Sequence, residues 1–206
     1  MHHELRPLVD GLNLTGNIAG DAVLFLLHHG CPRTAQHSAE VAAVASNIAE
    51  RFNLTPDKAE IAGWLHDISA VFPADDRANI AHRMGIPVLP EEERFPMLIH
   101  QKLSAIISYQ IFGVRDRDIL SAISCHTTLK RAASDFDKAV FVADKIAWDR
   151  HDQPPYLSAI HNALRDSLDA AALVYLQYIW DQRDTLREIH PWLRDAYTQL
   201  AQPFEK

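Results

Sequence analysis

Apolar positions along this chain recur at steps of three and four, and almost nowhere at steps of two. His37, Val41, Val44, Ile48 and Phe52 draw one stripe of a helix predicted over residues 33–52. In "NLTPDKAEIAGWLHDIS", Thr55 can cap, Pro56 takes the first helical position and Asp57 suits the positive end. "PADDRANIAHRMG" reads as a helix closed by Gly85, and "GIPVLPEEERFP" as a proline-punctuated loop with a solvated acidic run at 91–94. "PMLIHQKLSAIISYQIFG" predicts a helix with His100, Leu103, Ile107 and Ile111 on one face. "DRDILSAISCH" is a short helix ending near His126, and Ser134 with Asp137 forms a loose capping box opening "SDFDKAVFVADKIAWDR". Residues 156–199 supply two or three further amphipathic helices, with Pro191 breaking the last pair, and "AGDAVLFLLHHG" adds one near the start. There is no Asn-Gly turn, sustained alternation, repeat or linker. The pattern is all-α, one helical bundle.

Composition narrows the class. A chain of 206 residues, 48% hydrophobic and 23% charged, can bury a real core as one globular domain. No stretch approaches the roughly 20 apolar residues of a membrane span, and "MHHELRPLVD" lacks the basic start and apolar core of a secretory leader. His2 and His3 are given no weight. A net charge of −7 argues against a nucleic-acid binder. A small phosphorylated substrate stays open, because a bound metal supplies positive charge locally. Only Cys31 and Cys125 are present, so a cytoplasmic setting without a disulfide framework is expected. Twelve histidines are many for this length, and the chemistry is sought there.

Five predicted helices each place a potential ligand on an inward face: His37, then His66 with Asp67, then His100, His126 and Asp144. Singly, each histidine also reads as a hydrogen-bonded core residue, and Asp144 as the partner of Lys145 or an arginine. Together they form a nitrogen and oxygen donor set suited to iron, manganese or zinc. A buried carboxylate such as Asp67 is costly without a cation beside it. On a helix, His66 and Asp67 lie about 100° apart, which fits neighbouring coordination positions or two ions sharing the carboxylate. One catalytic zinc typically takes about three protein ligands. Two ions roughly 3.5–4 Å apart, bridged by a carboxylate and a hydroxide, would use all six and favour phosphoric ester or anhydride hydrolysis. His66 and Asp67 are the expected catalytic pair. His28, His29, His82, His151, His161 and His190 fit no ligand spacing and read as surface or helix-end residues.

The order His37 … His66-Asp67 … Asp144 resembles the signature of the HD-domain phosphohydrolases, and His100 and His126 look like the extra histidines of its binuclear members. The stretches "RTAQHSAEVA", "AERFNLTPDKAEIAGWLHDIS", "LIHQKLSA", "AISCHTT" and "DKAVFVADKIAWDR" are most similar to its symmetrical dinucleoside tetraphosphatases, the YqeK type. The resemblance covers a core over 33–150 carrying the site; a helical extension at 1–32, longer than the family pattern leads one to expect, and C-terminal helices at 151–206 are expected to pack with it as one structural domain. It implies a di-iron centre, with manganese, zinc or magnesium as other options. His37, His66, Asp67 and Asp144 would hold one ion, and Asp67 would bridge to a second held by His100 and His126. The implied reaction splits diadenosine tetraphosphate into two ADP. Thr127, Lys130, Lys145 and Arg150 are candidate phosphate contacts, each basic one also readable as a solvated surface charge. The chain departs from the family pattern at Ala70, where a Lys is usual, and at "LKRAASD", where a Gly-rich loop is usual. Action on a mononucleotide or cyclic nucleotide, or a non-catalytic nucleotide-sensing module, are the other readings. Tyr175, Tyr178, Trp180 and Trp192 read as core or as the surface of a homodimer.

Overall fold

Residues 1–147 and 153–202 are described by the structure, a computed structural model. Its α-helices are α1 (Ile18–His28), α2 (Pro32–Arg51), α3 (Pro56–Leu65), α4 (Arg77–Arg83), α5 (Pro90–Arg94), α6 (His100–Gln110), α7 (Arg117–Cys125), α8 (Asp135–Ile146), α9 (Leu157–Ala163), α10 (Leu168–Asp181) and α11 (Pro191–Leu200). Among the described residues there is no strand, and no helix is long and apolar enough to cross a membrane. Arg150 and His151 lie outside the described residues.

Small side chains bring the first two core helices together. Ala42, Ala45 and Ala49 of α2 and Ala59 and Ala62 of α3 are all buried, and α2 packs most extensively on α3. The contact is closest at Gly63, where a Cβ would lie 2.5 Å from Ala42 Cα and 2.6 Å from Ala42 N. Helix α8 is the central rod. Its residues from Phe136 to Ala143 are buried all round, the property of a helix enclosed by others, and it packs on α2, α3, α7 and α10. The chain enters it through a complete capping box: Asp137 N donates to Ser134 Oγ at 3.1 Å and Ser134 N to Asp137 Oδ2 at 2.9 Å. This fixes the start of the rod that carries Asp144 in its last turn. Helix α1 packs on α2 and α3, and α10 joins α9 and α11 to α8.

Several sequence expectations are corrected here. The "GIPVLPEEERFP" segment contains α5, and its acidic run is not wholly solvated. Glu92 is fully buried, taking hydrogen bonds from Leu89 N (2.8 Å), Lys102 Nζ (2.7 Å) and His190 Nε2 (3.1 Å). His190 is at a helix end, as the sequence implied, but buried: it caps α11 by accepting from Trp192 N. Thr55 occupies the N-cap position of α3 without a side-chain capping bond.

A further correction concerns where the donors sit. Helix α3 stops at Leu65, and Asp67 leads into a 3-10 turn at Ile68–Val71. A second 3-10 turn, Pro96–Ile99, runs into α6 at His100, and α7 stops just before His126. Most donors therefore stand at helix ends rather than on helix faces. Tertiary bonds decide this: Ser69 Oγ donates to the His100 carbonyl at 2.8 Å, and Ser104 Oγ donates to Ser69 Oγ at 2.9 Å. They tie the Asp67 turn directly to α6.

Candidate metal centre

Each of three histidines is aimed by the same local device. Nδ1 of His66, His100 and His126 donates to the carbonyl three residues back, in Gly63 (2.7 Å), Met97 (2.5 Å) and Ile123 (2.8 Å). That bond satisfies a carbonyl at a helix end and places the ring proton on Nδ1, leaving the Nε2 lone pair bare and fixed in direction. His37, in the second turn of α2, differs: its Nδ1 is buried with no hydrogen-bond partner among the described residues.

The four Nε2 atoms converge in two pairs. His37 Nε2 lies 3.3 Å from His66 Nε2, and His100 Nε2 lies 3.1 Å from His126 Nε2. Asp144 Oδ1 joins the first pair, 3.0 Å from His37 and 3.4 Å from His66. Asp67 reaches both pairs: Oδ2 is 3.6 Å from His66 Nε2, while Oδ1 is 3.3 Å from His100 Nε2 and 3.4 Å from His126 Nε2. All six residues singled out from the sequence are thus together, in two groups that share Asp67.

This donor set fits divalent cations. Two Nε2 lone pairs 3.1 Å apart repel each other unless a proton or a metal cation lies between them. Nitrogens held about 2.1 Å from one ion are about 3.0–3.4 Å apart at octahedral to tetrahedral angles, the range of both imidazole pairs. The electrostatics point the same way. Burial opposes a charge on His66, but Asp67 and Asp144 outweigh it and push its pKa up to about 9. His100 is pushed down to about 4, chiefly by burial, with the charges of His126 and Arg77 adding to it. Although burial opposes ionisation of Asp67, neighbouring His66, His126 and His100 hold it well below the usual carboxylate range. Asp144 is likewise held low, against burial, by Lys145, His37 and His66. Two ionised carboxylates in a buried site demand positive charge, and a divalent cation meets that demand better than one proton.

The tentative phosphate contacts divide. Thr127 Oγ1 sits 2.9 Å from His100 Nε2 and 3.0 Å from His126 Nε2, at the mouth of the second group. Buried Gln101 holds this turn, accepting from Thr127 N at 3.2 Å and donating to Thr128 Oγ1 at 3.1 Å. Lys145 is no surface charge. It is buried against Asp144 Oδ2, donates to the His126 carbonyl at 3.3 Å and lies over the Tyr175 ring. Its ammonium serves as the counter-ion of Asp144, which corrects its reading as a solvated surface charge. Lys130 pairs with Asp137, in the first turn of α8, at 3.2 Å and donates to Ser121 of α7. The sequence reading missed Arg77 and Gln101, which carry no periodic signal. Of the six donors Asp67 is the most open, its side chain 29% exposed against 0–15% for the rest.

Fold and donor set together define a helical hydrolase of the HD superfamily. Residues 34–149 match the HD domain family, more than half of the chain, and the chain belongs to that family. It is 43% identical over 147 residues to a Lactococcus lactis subsp. cremoris protein described as "Uncharacterized protein in pepC 5'region", covering 71% of this chain and 74% of that one. It is 34% identical over 110 residues to the symmetrical bis(5'-nucleosyl)-tetraphosphatase of Bacillus subtilis (strain 168), covering 53% of this chain and 59% of that protein. A crystal structure from Clostridium acetobutylicum, described as a "predicted HD superfamily hydrolase involved in NAD metabolism", superposes with a TM-score of 0.79 at 25% identity, covering 91% of this chain and 97% of that one.

Proposed function

We propose that the chain is a symmetrical dinucleoside tetraphosphatase, cleaving diadenosine tetraphosphate into two molecules of ADP. The observation that carries this reading is the convergence of four imidazole Nε2 atoms and the two oxygens of Asp67 into adjacent groups. His37, His66, Asp144 and Asp67 would hold one divalent ion, and Asp67, His100 and His126 a second. Iron is the metal proposed, since neutral imidazole and carboxylate donors without thiolate suit it. When bound, such ions acidify water and neutralise phosphate oxygens.

The chain's own groups do the positioning. The carbonyls of Gly63, Met97 and Ile123 hold three rings in register before any ligand arrives, so their aim costs nothing at the moment of reaction. Lys145 keeps Asp144 ionised, and Asp67 offers one oxygen to each group. Thr127 presents a hydroxyl where a phosphate oxygen would lie beside His100 and His126. Similarity to the Bacillus subtilis enzyme supports the nucleotide substrate.

Product analysis on diadenosine tetraphosphate tests the proposal. ADP as the sole nucleotide product is the expected result. AMP together with ATP would contradict symmetrical cleavage, and turnover only of mononucleotides or cyclic nucleotides would favour another HD phosphohydrolase activity.

A further inference from the structure

Cations near the centre differ in what holds them. Lys145 is closed on Asp144, Lys102 on Glu92 and Lys138 on Asp169. Arg77 is half-buried and makes no ion pair among the described residues. Its one hydrogen bond there runs from Nε to the Phe72 carbonyl at 3.2 Å. Among the described residues, both terminal NH2 groups of its guanidinium are left without an acceptor. A half-buried guanidinium whose NH2 groups meet no acceptor among the described residues is suited to holding an anion.

The fold puts this residue beside the second ligand group. Arg77 opens α4, ten positions after Asp67, beyond the 3-10 turns at Ile68–Val71 and Ala74–Asp76. The turn at Ala74–Asp76 and α4 both pack on Pro96–Ile99, the turn that delivers His100. The charge of Asp67 offsets part of the burial that lowers the pKa of Arg77. Asp67 is also the donor most open to solvent. A planar guanidinium with two free NH2 groups matches phosphate oxygens bidentately, as a lysine does not.

We propose that Arg77 is a phosphate-binding residue of this centre, its terminal NH2 groups holding oxygens of the substrate's phosphate chain on the His100 side. The inference rests on the phosphohydrolase reading above, and not on a tetraphosphate being the substrate. Inorganic pyrophosphate is the probe, titrated by calorimetry into the metal-loaded full chain. Arg77→Gln should weaken its binding about 10- to 100-fold, the worth of charge-assisted hydrogen bonds, with metal content unchanged. Arg77→Lys keeps the charge and loses both the fork and the bond to Phe72, and should recover part of the affinity. The proposal is overturned if the wild type does not bind pyrophosphate, or if Arg77→Gln binds it as the wild type does. It also fails if both variants weaken equally alongside a lowered Tm or lost metal, which would mark a structural role. Diadenosine tetraphosphate turnover by the wild type judges the substrate separately, whatever the pyrophosphate ratio shows.

Discussion

Gly63→Ala is a one-carbon change that should disturb the metal centre without touching a ligand side chain. The added Cβ would lie 2.5 Å from Ala42 Cα, 2.6 Å from Ala42 N and 3.0 Å from Val41 C. These are backbone atoms of α2, so no rotamer change relieves the overlap; α2 and α3 must separate. Overpacking of this kind costs about 1–3 kcal/mol, and rigid backbone on both sides puts it near the top of that range. Alanine's better helix propensity returns about 1 kcal/mol. The net loss of about 2 kcal/mol corresponds to a Tm lower by about 4–8 °C for a chain of this size. Because α2 carries His37 and Gly63 orients His66 through its carbonyl, separation widens the 3.3 Å gap between the two Nε2 atoms. Metal titration followed by calorimetry should therefore show weaker binding at the His37–His66 position than at the His100–His126 position. A Gly63→Ala protein with wild-type Tm and metal affinity would refute both the close approach and the coupling of helix spacing to the site.

Two further predictions concern elements that support the centre. Glu92→Gln removes the charge from a buried acceptor of three hydrogen bonds and should cost about 1–3 kcal/mol, read as Tm near neutral pH. Although burial raises it, His190 and Lys102 leave the Glu92 pKa below its ordinary 4.5, so its stabilisation is full above that value and lost as pH falls through the lower folded value. The Tm gap between wild type and Glu92→Gln should accordingly close under acid conditions and not at alkaline pH. Ser134→Ala breaks the capping box of α8 and should cost about 1 kcal/mol, with hydrogen exchange rising first at the amide of Asp137.

Much of this was legible because local chemistry and tertiary structure agree. Pro56 at the first position of α3, Gly85 with φ +68° after α4, and the Ser134–Asp137 box follow from short-range rules. The six donors stood out because polar side chains on several otherwise apolar helices rarely lack a common cause. What could not be read depends on partners distant in sequence. Glu92 looks solvated until His190, 98 residues away, is placed against it. The end of α3 at Leu65 depends on Ser69 finding α6. Lys145 could be read as a surface charge until Phe141, Tyr175 and Asp144 close over it. Arg77 is marked only by what it lacks among the described residues, an acidic partner, and no sequence shows that.

Metal counting tests the central claim most directly. The full chain, purified anaerobically with iron supplied, should carry about two divalent ions. His126→Ala should retain about one and Asp67→Ala fewer than one, since Asp67 alone contributes to both groups. Wild-type protein that binds no divalent ion under these conditions, or an Asp67→Ala variant that keeps two, would contradict the account.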